Sequence, residues 1–280
     1  MSKSLGIGCV VLTMAGTAGA EAPPKEWPLP WPTSSEVELP AERELPEGSP
    51  FLGVCERLER ELRAAESLMA AEVGCSVYKR YEGAGPIRGA ATLRLVGDDL
   101  GITDVWFLAV ETSSGWHLGP VLGDGSYTGV GGWSQGVTVD DIVVTLLDGA
   151  AVVVARARGF MEDTDLGVNA QTEEYSASVS VCLVTDSPAG APACARALTH
   201  RRRTLSKASD EEKQVPPRES YGPLGTRDWS RPLTWDPKAG AFKVGPEKGK
   251  RPQGQTIPAL PKRATAAAVV EAYAARAEKP

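Results

Sequence analysis

Residues 132–136 read GWSQG, which matches the G-x-S-x-G pattern around a nucleophilic serine. Small residues on both sides of such a serine permit a sharp strand-to-helix turn that presents its oxygen to a substrate. The chemistry also needs a histidine as general base and a carboxylate that orients the histidine. In chain order Ser134 is followed by Asp163 or Asp165 and then by His200, so the sequence supplies a candidate triad.

The order serine, acid, histidine is that of the α/β-hydrolases, and GWSQG resembles the serine motif of the secreted cutinase-type esterases. The resemblance covers only this pentapeptide and implies an esterase-like hydrolase with Ser134 as nucleophile and His200 as base. The flanking sequence disagrees: residues 123–131 are rich in glycine, and residues 137–147 are rich in β-branched side chains that favour a strand. A capping box of Thr138 and Asp141 is the one local signal for a helix there. We therefore expect a glycine-rich hairpin loop and no catalysis, with a secreted serine hydrolase as the alternative.

Oxygen-bearing side chains are grouped in residues 161–169 (MEDTDLGVN), which contain Glu162, Asp163, Asp165 and Asn169. Such oxygens are the ligands of hard cations, so these residues are a candidate calcium site. The EF-hand pattern fails because its fifth position is Gly167. We expect a solvated acidic loop, with no bound metal and no cofactor.

Two other segments contain a histidine, and each has an interpretation that does not involve catalysis. His117, next to Trp116, is expected on a half-exposed strand, because the sequence places no carboxylate beside it to orient a base. Residues 196–207 form the one basic cluster, which would meet anionic lipid or polysaccharide outside the cell. A solvated strand end is the alternative interpretation of this cluster.

The first twenty residues have the organisation of an export signal. A lysine precedes an apolar stretch at residues 5–14, and an A-x-A cleavage site occupies residues 18–20. Cys9 does not indicate a lipoprotein, because most of the apolar stretch follows it. We predict a signal peptide at residues 1–20 and export to the periplasm or the extracellular space.

The mature chain keeps four cysteines, an even number in an exported protein, which predicts two disulfides among Cys55, Cys75, Cys182 and Cys194. Pairing Cys182 with Cys194 would staple a loop between two strands and add about 3 kcal/mol. A helix unbroken from Cys55 to Cys75 would separate these residues by about 30 Å, whereas bridged Cα atoms lie about 5.5 Å apart. Either this helix breaks, or its ends are tied to the other two cysteines, or two thiols stay free.

The predicted fold is α+β. Residues 21–50 are a linker rich in proline and glutamate. Apolar residues then recur every three or four positions from Phe51 to Val73, which predicts an amphipathic helix that stops at Gly74. Eight segments with period two or short apolar runs follow, at residues 75–81, 90–97, 102–111, 115–122, 141–147, 150–158, 174–185 and 194–199.

Strands in uninterrupted succession predict an antiparallel meander, with the helix on one face, within a domain at residues 51–205. The strongest hairpin signal is Asp148-Gly149. Residues 206–280 are a tail rich in proline and charge, with a short hairpin at 229–244 and a terminal helix at 265–279.

Composition excludes several classes of function. The chain has 30 Lys and Arg against 36 Asp and Glu, a net charge of −6, so nothing attracts nucleic acid at long range. After the signal no run of about 18 apolar residues could span a membrane. Thirty glycines and two histidines suit a GC-rich bacterial genome. We expect an exported binding, assembly or structural protein whose partner is another protein or a cell-envelope component.

Overall fold

The computed structural model of the chain describes residues 45, 48–65, 72–98, 102–128, 133–165, 170–185, 191–207, 225–252, 255 and 257–274. Every structural statement below concerns these residues. The predicted signal peptide and almost all of the predicted linker lie outside them.

Antiparallel strands make up most of the described chain, together with two helices, which confirms an α+β composition dominated by antiparallel sheet. The elements are, in order, α1 (Leu52–Ala64), β1 (Glu72–Ala84), β2 (Ile87–Asp98), β3 (Ile102–Thr112), β4 (Gly115–Thr128), β5 (Trp133–Leu147), β6 (Ala150–Asp165), β7 (Ala170–Thr185), β8 (Ala193–Lys207), β9 (Gly225–Ser230), β10 (Leu233–Asp236), β11 (Ala241–Val244), β12 (Lys248–Gly249), β13 (Arg263–Thr265) and α2 (Ala266–Ala274).

Strands β1 to β9 lie side by side in chain order, and β12 completes this ten-stranded antiparallel sheet. Each of the eight predicted strands falls within one of β1 to β8, so the meander is confirmed. The β5–β6 hairpin turns at Asp148-Gly149 as predicted, and Gly149 has a φ of 69°, a conformation that favours glycine. Most strands are longer than their apolar runs, because ladder hydrogen bonds continue into polar sequence.

The long sheet folds back on itself around a central core. This first hydrophobic cluster joins Leu108 and Leu122, from β3 and β4, to Ile142, Val153 and Val184, from β5, β6 and β7. Strands that are covered on both faces contain continuous apolar runs, which explains why β2, β3 and β6 show little alternation.

The outer face of β2 and β3 belongs to a second hydrophobic cluster, which includes α1. Phe51, Val54 and Leu58 share this cluster with Leu93 and Phe107. The helix therefore buries one stripe of its surface, as its spacing of apolar residues requires.

The outer face of β6, β7 and β8 is covered by the C-terminal elements. Strands β10, β11 and β13 form a separate three-stranded sheet, and α2 follows directly. Trp235, Phe242 and Val269 lie in one cluster with Val154 and Val181. The tail does contain a hairpin and a helix, but the hairpin joins β10 to β11, and Trp229 belongs to β9 of the large sheet.

The predicted long helix ends early. Helix α1 stops at Ala64, and Gly74, the predicted stop, lies inside β1, where it pairs with Val96. The helical spacing of Val73 was misleading, because Val73 and the next alternate residues fit a strand equally well and β2 pairs with them. Met69 lies outside the described residues.

Two disulfides join Cys55 to Cys75 and Cys182 to Cys194, with Cα separations of 6.3 and 4.1 Å. The early end of α1 makes the first bridge possible, so of the arrangements left open by the sequence the broken helix is the one adopted. Cys182 and Cys194 are direct partners across β7 and β8. Such bonds form in oxidising compartments.

Both helices are short, at 13 and 9 residues. Within the described chain neither has the length and apolar character that a membrane crossing would require.

Candidate functional site

Ser134 lies near the start of β5, in hydrogen-bonded sheet between β4 and β6. It pairs with Glu162 of β6, and Gly136 pairs with Phe160. Strand β5 continues without a break to Leu147, whereas a nucleophile elbow passes from the serine directly into a helix. The β-branched residues after Gly136 extend the strand, and the capping box at Thr138 is not used. Residues 133–136 are strand and not part of the expected glycine-rich loop, whereas residues 129–132 lie outside the described residues.

The register of the sheet does not place Ser134 and His200 beside each other. Register across β5, β6, β7 and β8 places Ser134 in line with Thr204, while His200 lies four residues earlier on β8, opposite Ala177. Counted along the sheet, three strand spacings of about 4.8 Å and an offset of four residues lie between Ser134 and His200. His200 Nε2 instead contacts Asp228 Oδ1 at 2.6 Å.

The candidate acids and calcium ligands lie near the end of β6. Glu162, Asp163 and Asp165 belong to the strand, opposite Glu173, Thr172 and Ala170 of β7, so the predicted acidic loop is wrong for these three residues. Asn169 lies outside the described residues. In the part of the chain that the structure describes, no group of three or more His, Cys, Asp or Glu is arranged to hold a metal ion.

His117 has partners that sequence reasoning missed. Its Nε2 atom lies 2.9 Å from Thr112 Oγ1 and 2.9 Å from Ser114 Oγ, and the two hydroxyl oxygens are also 2.9 Å apart. The Ser114 amide donates to Thr112 Oγ1 as well. This triangle closes the β3–β4 turn. Its signal in the sequence was the run TSSGWH, in which three polar side chains flank a glycine turn.

A concave feature with a volume of about 650 Å³ lies where β5 and β6 meet β10 and β11. We call it the hairpin cavity. Its apolar lining consists of Val143, Val154, Trp235, Pro237, Ala239, Ala241 and Phe242. Its polar lining consists of Asp141, Arg156, Thr234, Asp236, Lys238, Lys243 and Arg263. The volume lies within the range of about 300–1,000 Å³ that is typical of small-molecule sites.

Neighbouring strands fix the apolar lining. Val143 and Val154 are direct partners in the β5–β6 ladder, and Trp235 and Phe242 are direct partners in the β10–β11 ladder. The two aromatic rings lie 4.8 Å apart between centroids and are almost fully buried. Trp235 Nε1 donates to Thr145 Oγ1 at 3.0 Å, which ties the hairpin to β5.

Two acidic side chains of the lining already have partners. Arg156 Nη2 donates to Asp141 Oδ2 at 2.7 Å, across the β5–β6 ladder. Asp236 Oδ1 accepts the amides of Lys238 and Ala239, each at 3.1 Å, and so closes the β10–β11 turn. Both carboxylates therefore form hydrogen bonds within the fold.

Three cations of the lining are exposed and form no ion pair with another described residue: Lys238, Lys243 and Arg263. Lys243 and Arg263 lie directly opposite each other on β11 and β13. Like charges in that position destabilise a sheet. An anionic group held between them would relieve this repulsion.

Comparison of the chain with protein-family models, with curated proteins and with solved structures found no match.

Proposed function

We propose that this protein is an exported binding protein that takes an amphipathic anion in the hairpin cavity. The ligand has an apolar body and a carboxylate or phosphate group. The observation that supports this function is the combination of a buried aromatic pair, Trp235 and Phe242, with the three cations that lack ion-pair partners among the described residues.

Each part of the cavity has a separate role in this proposal. The accessible apolar side chains of the lining remove the apolar body from water, which is favourable in proportion to the area buried, and the buried rings of Trp235 and Phe242 support them from beneath. Lys243 and Arg263 attract the anionic group and orient it at the edge of the small sheet. Because the whole chain carries a net charge of −6, attraction of an anion depends on this local surplus of cations.

Export is part of the proposal. Residues 1–20 have the composition of a signal peptide, and two disulfides suit an oxidising compartment. Residues 21–50 would act as a spacer, and a cell-envelope component or another protein would receive or deliver the ligand. The C-terminal hairpin forms one wall of the cavity, so the tail and the domain at residues 51–205 would work together.

A fluorescent fatty acid, 11-(dansylamino)undecanoic acid, tests the cavity against its own methyl ester. We expect the acid to bind more tightly, because only the acid carries a charge for Lys243 and Arg263. The double variant Lys243→Gln/Arg263→Gln is expected to bind the acid about tenfold more weakly and the ester equally well. Fluorescence titration measures both affinities.

The matched control for this titration is Lys262→Gln, an exposed residue next to Arg263 that does not line the cavity. It should bind the acid as the parent chain does. The proposed site would be contradicted if the parent chain bound acid and ester with equal affinity. It would also be contradicted if the control and the double variant lost the same affinity for the acid.

The alternative function, a serine hydrolase acting through Ser134, has its own test. We expect the intact mass of the protein to be unchanged after treatment with a fluorophosphonate, because Ser134 lies in a strand and far from His200 along the sheet. An adduct that disappears in Ser134→Ala would establish the hydrolase. Ser114→Ala distinguishes labelling at the hydroxyl beside His117.

A further inference from the structure

A second concave surface is lined almost entirely by cationic side chains. Its volume is about 180 Å³, and we call it the basic cleft. It is lined by Arg201, Arg203, Arg227, Lys250, Arg251 and Pro252, from β8, β9 and the segment after β12.

Two of these cations are neutralised by carboxylates. Arg201 donates to both oxygens of Glu174, at 2.7 and 2.8 Å. Arg251 pairs with Glu247, which also accepts a hydrogen bond from Trp229 Nε1 at 2.8 Å. The bonds from Arg251 and Trp229 lower the pKa of Glu247 to about 2, so this carboxylate stays ionised near neutral pH.

The other three cations, Arg203, Arg227 and Lys250, are exposed and form no ion pair with another described residue. Arg203 and Arg227 lie directly opposite each other on β8 and β9. The Lys250 amide donates to the carbonyl oxygen of Asp228 at 3.0 Å, which holds this segment against β9. The backbone thus keeps three positive charges together despite their repulsion.

We propose that the basic cleft binds the sulfate or phosphate groups of an anionic polysaccharide. Arginine side chains bind such groups through two parallel N–H donors, and Lys250 supplies a further point charge. This site is independent of the hairpin cavity, because the residues that line the two sites are different.

The lining favours a polysaccharide over a membrane surface or a nucleic acid. Among the described residues of the lining Pro252 is the only apolar side chain, and Trp229 of β9 is 1% exposed, so neither inserts into lipid as membrane-binding aromatic residues do. None of these described lining residues is aromatic, so they offer no ring on which single-stranded bases could stack. A concave cleft also admits a group that projects from a flexible chain.

The probe for the test is a heparin-derived octasaccharide, with neutral maltooctaose as its uncharged counterpart. We expect the sulfated probe to bind at 50 mM NaCl and to bind weakly at 300 mM, since charge interactions are screened by salt. Arg203→Gln/Arg227→Gln is expected to weaken binding about tenfold. The control Arg60→Gln/Arg88→Gln removes the same charge from two exposed positions on α1 and β2 and should leave the affinity unchanged.

Several outcomes would overturn the proposal. Equal losses in the two double variants would mean that only net charge matters. Binding to phosphatidylglycerol vesicles or to single-stranded oligonucleotide, with none to the octasaccharide, would assign the cleft to another partner. If Arg203→Gln/Arg227→Gln fails to fold, the test uses Lys250→Gln, because Lys250 lies outside the strand ladders. An unchanged affinity of that variant for the octasaccharide would also contradict the proposal.

Discussion

Asp104→Ala is expected to destabilise the protein by about 3–5 kcal/mol. Arg94 of β2 donates to both carboxylate oxygens of Asp104 on β3, at 2.8 and 3.0 Å. The two side chains are only 7% and 14% exposed, and the guanidinium group also lies 5.7 Å from the centre of the Trp106 ring. Without the carboxylate, the buried guanidinium group loses the two hydrogen bonds to Asp104 and cannot replace them with water.

Urea unfolding of Asp104→Ala measures this loss. The matched control is Glu61→Ala, which removes the carboxylate of an exposed pair, Arg57–Glu61, with side chains 58% and 52% exposed. That change should cost about 0.5 kcal/mol or less.

Arg94→Met/Asp104→Leu removes both charges and is expected to recover most of the stability lost in Asp104→Ala, because an apolar pair of similar size avoids the desolvation cost. If the single variant costs no more than Glu61→Ala, the Arg94–Asp104 pair is solvated in solution and the argument is wrong.

Phe242→Ala is expected to lower the free energy of unfolding by about 3–5 kcal/mol and to abolish binding of the dansyl fatty acid. Phe242 is completely buried, contacts Trp235, and belongs to the cluster that fixes the small sheet on β6 and β7. Its removal opens a space under the hairpin and releases the aromatic wall of the cavity.

Hydrogen exchange and the fatty-acid titration together separate local loosening from general instability. In Phe242→Ala, amide protection should fall in β10, β11 and β13 before it falls in β2 and β3. The matched control is Phe107→Ala, an equally buried phenylalanine in the cluster beneath α1. This control should lose comparable stability and still bind the probe in its folded state. Loss of binding in both variants would contradict the placement of the ligand in the hairpin cavity.

The meander could be predicted because its information is local. Alternation in the strands and signals such as Asp148-Gly149 act between residues that are close in the chain. The end of α1 could not be predicted, because the short apolar series before Gly74 fits both a helix and a strand. Pairing with β2 and the bridge from Cys55 to Cys75 decide the outcome, and neither is visible in the local pattern.

The candidate site could not be predicted, because its walls come from distant parts of the chain. Val143 and Trp235 both line the hairpin cavity, but no periodicity links them. Only part of the basic cleft could be predicted. Its residues on β8 form a contiguous basic cluster in the sequence, whereas Arg227 on β9 and Lys250 after β12 reach the cleft through sheet pairing. The GWSQG motif suggested a catalytic serine, but such a short pattern does not determine whether the chain forms the strand-to-helix turn that the serine needs.

The succession of β1 to β9 in chain order also bears on how the protein reaches its fold. Each new strand can add to an edge that its predecessor has just formed, so no gap in the large sheet waits for a partner made much later. The outer face of β6 and β7 is different, because its cover comes only with residues 233–270. Until those residues are made, Val152, Val154, Val179 and Val181 present an apolar sheet to solvent. A chain cut short before β10 would therefore self-associate through this face, and the C-terminal segment protects the completed molecule from aggregation.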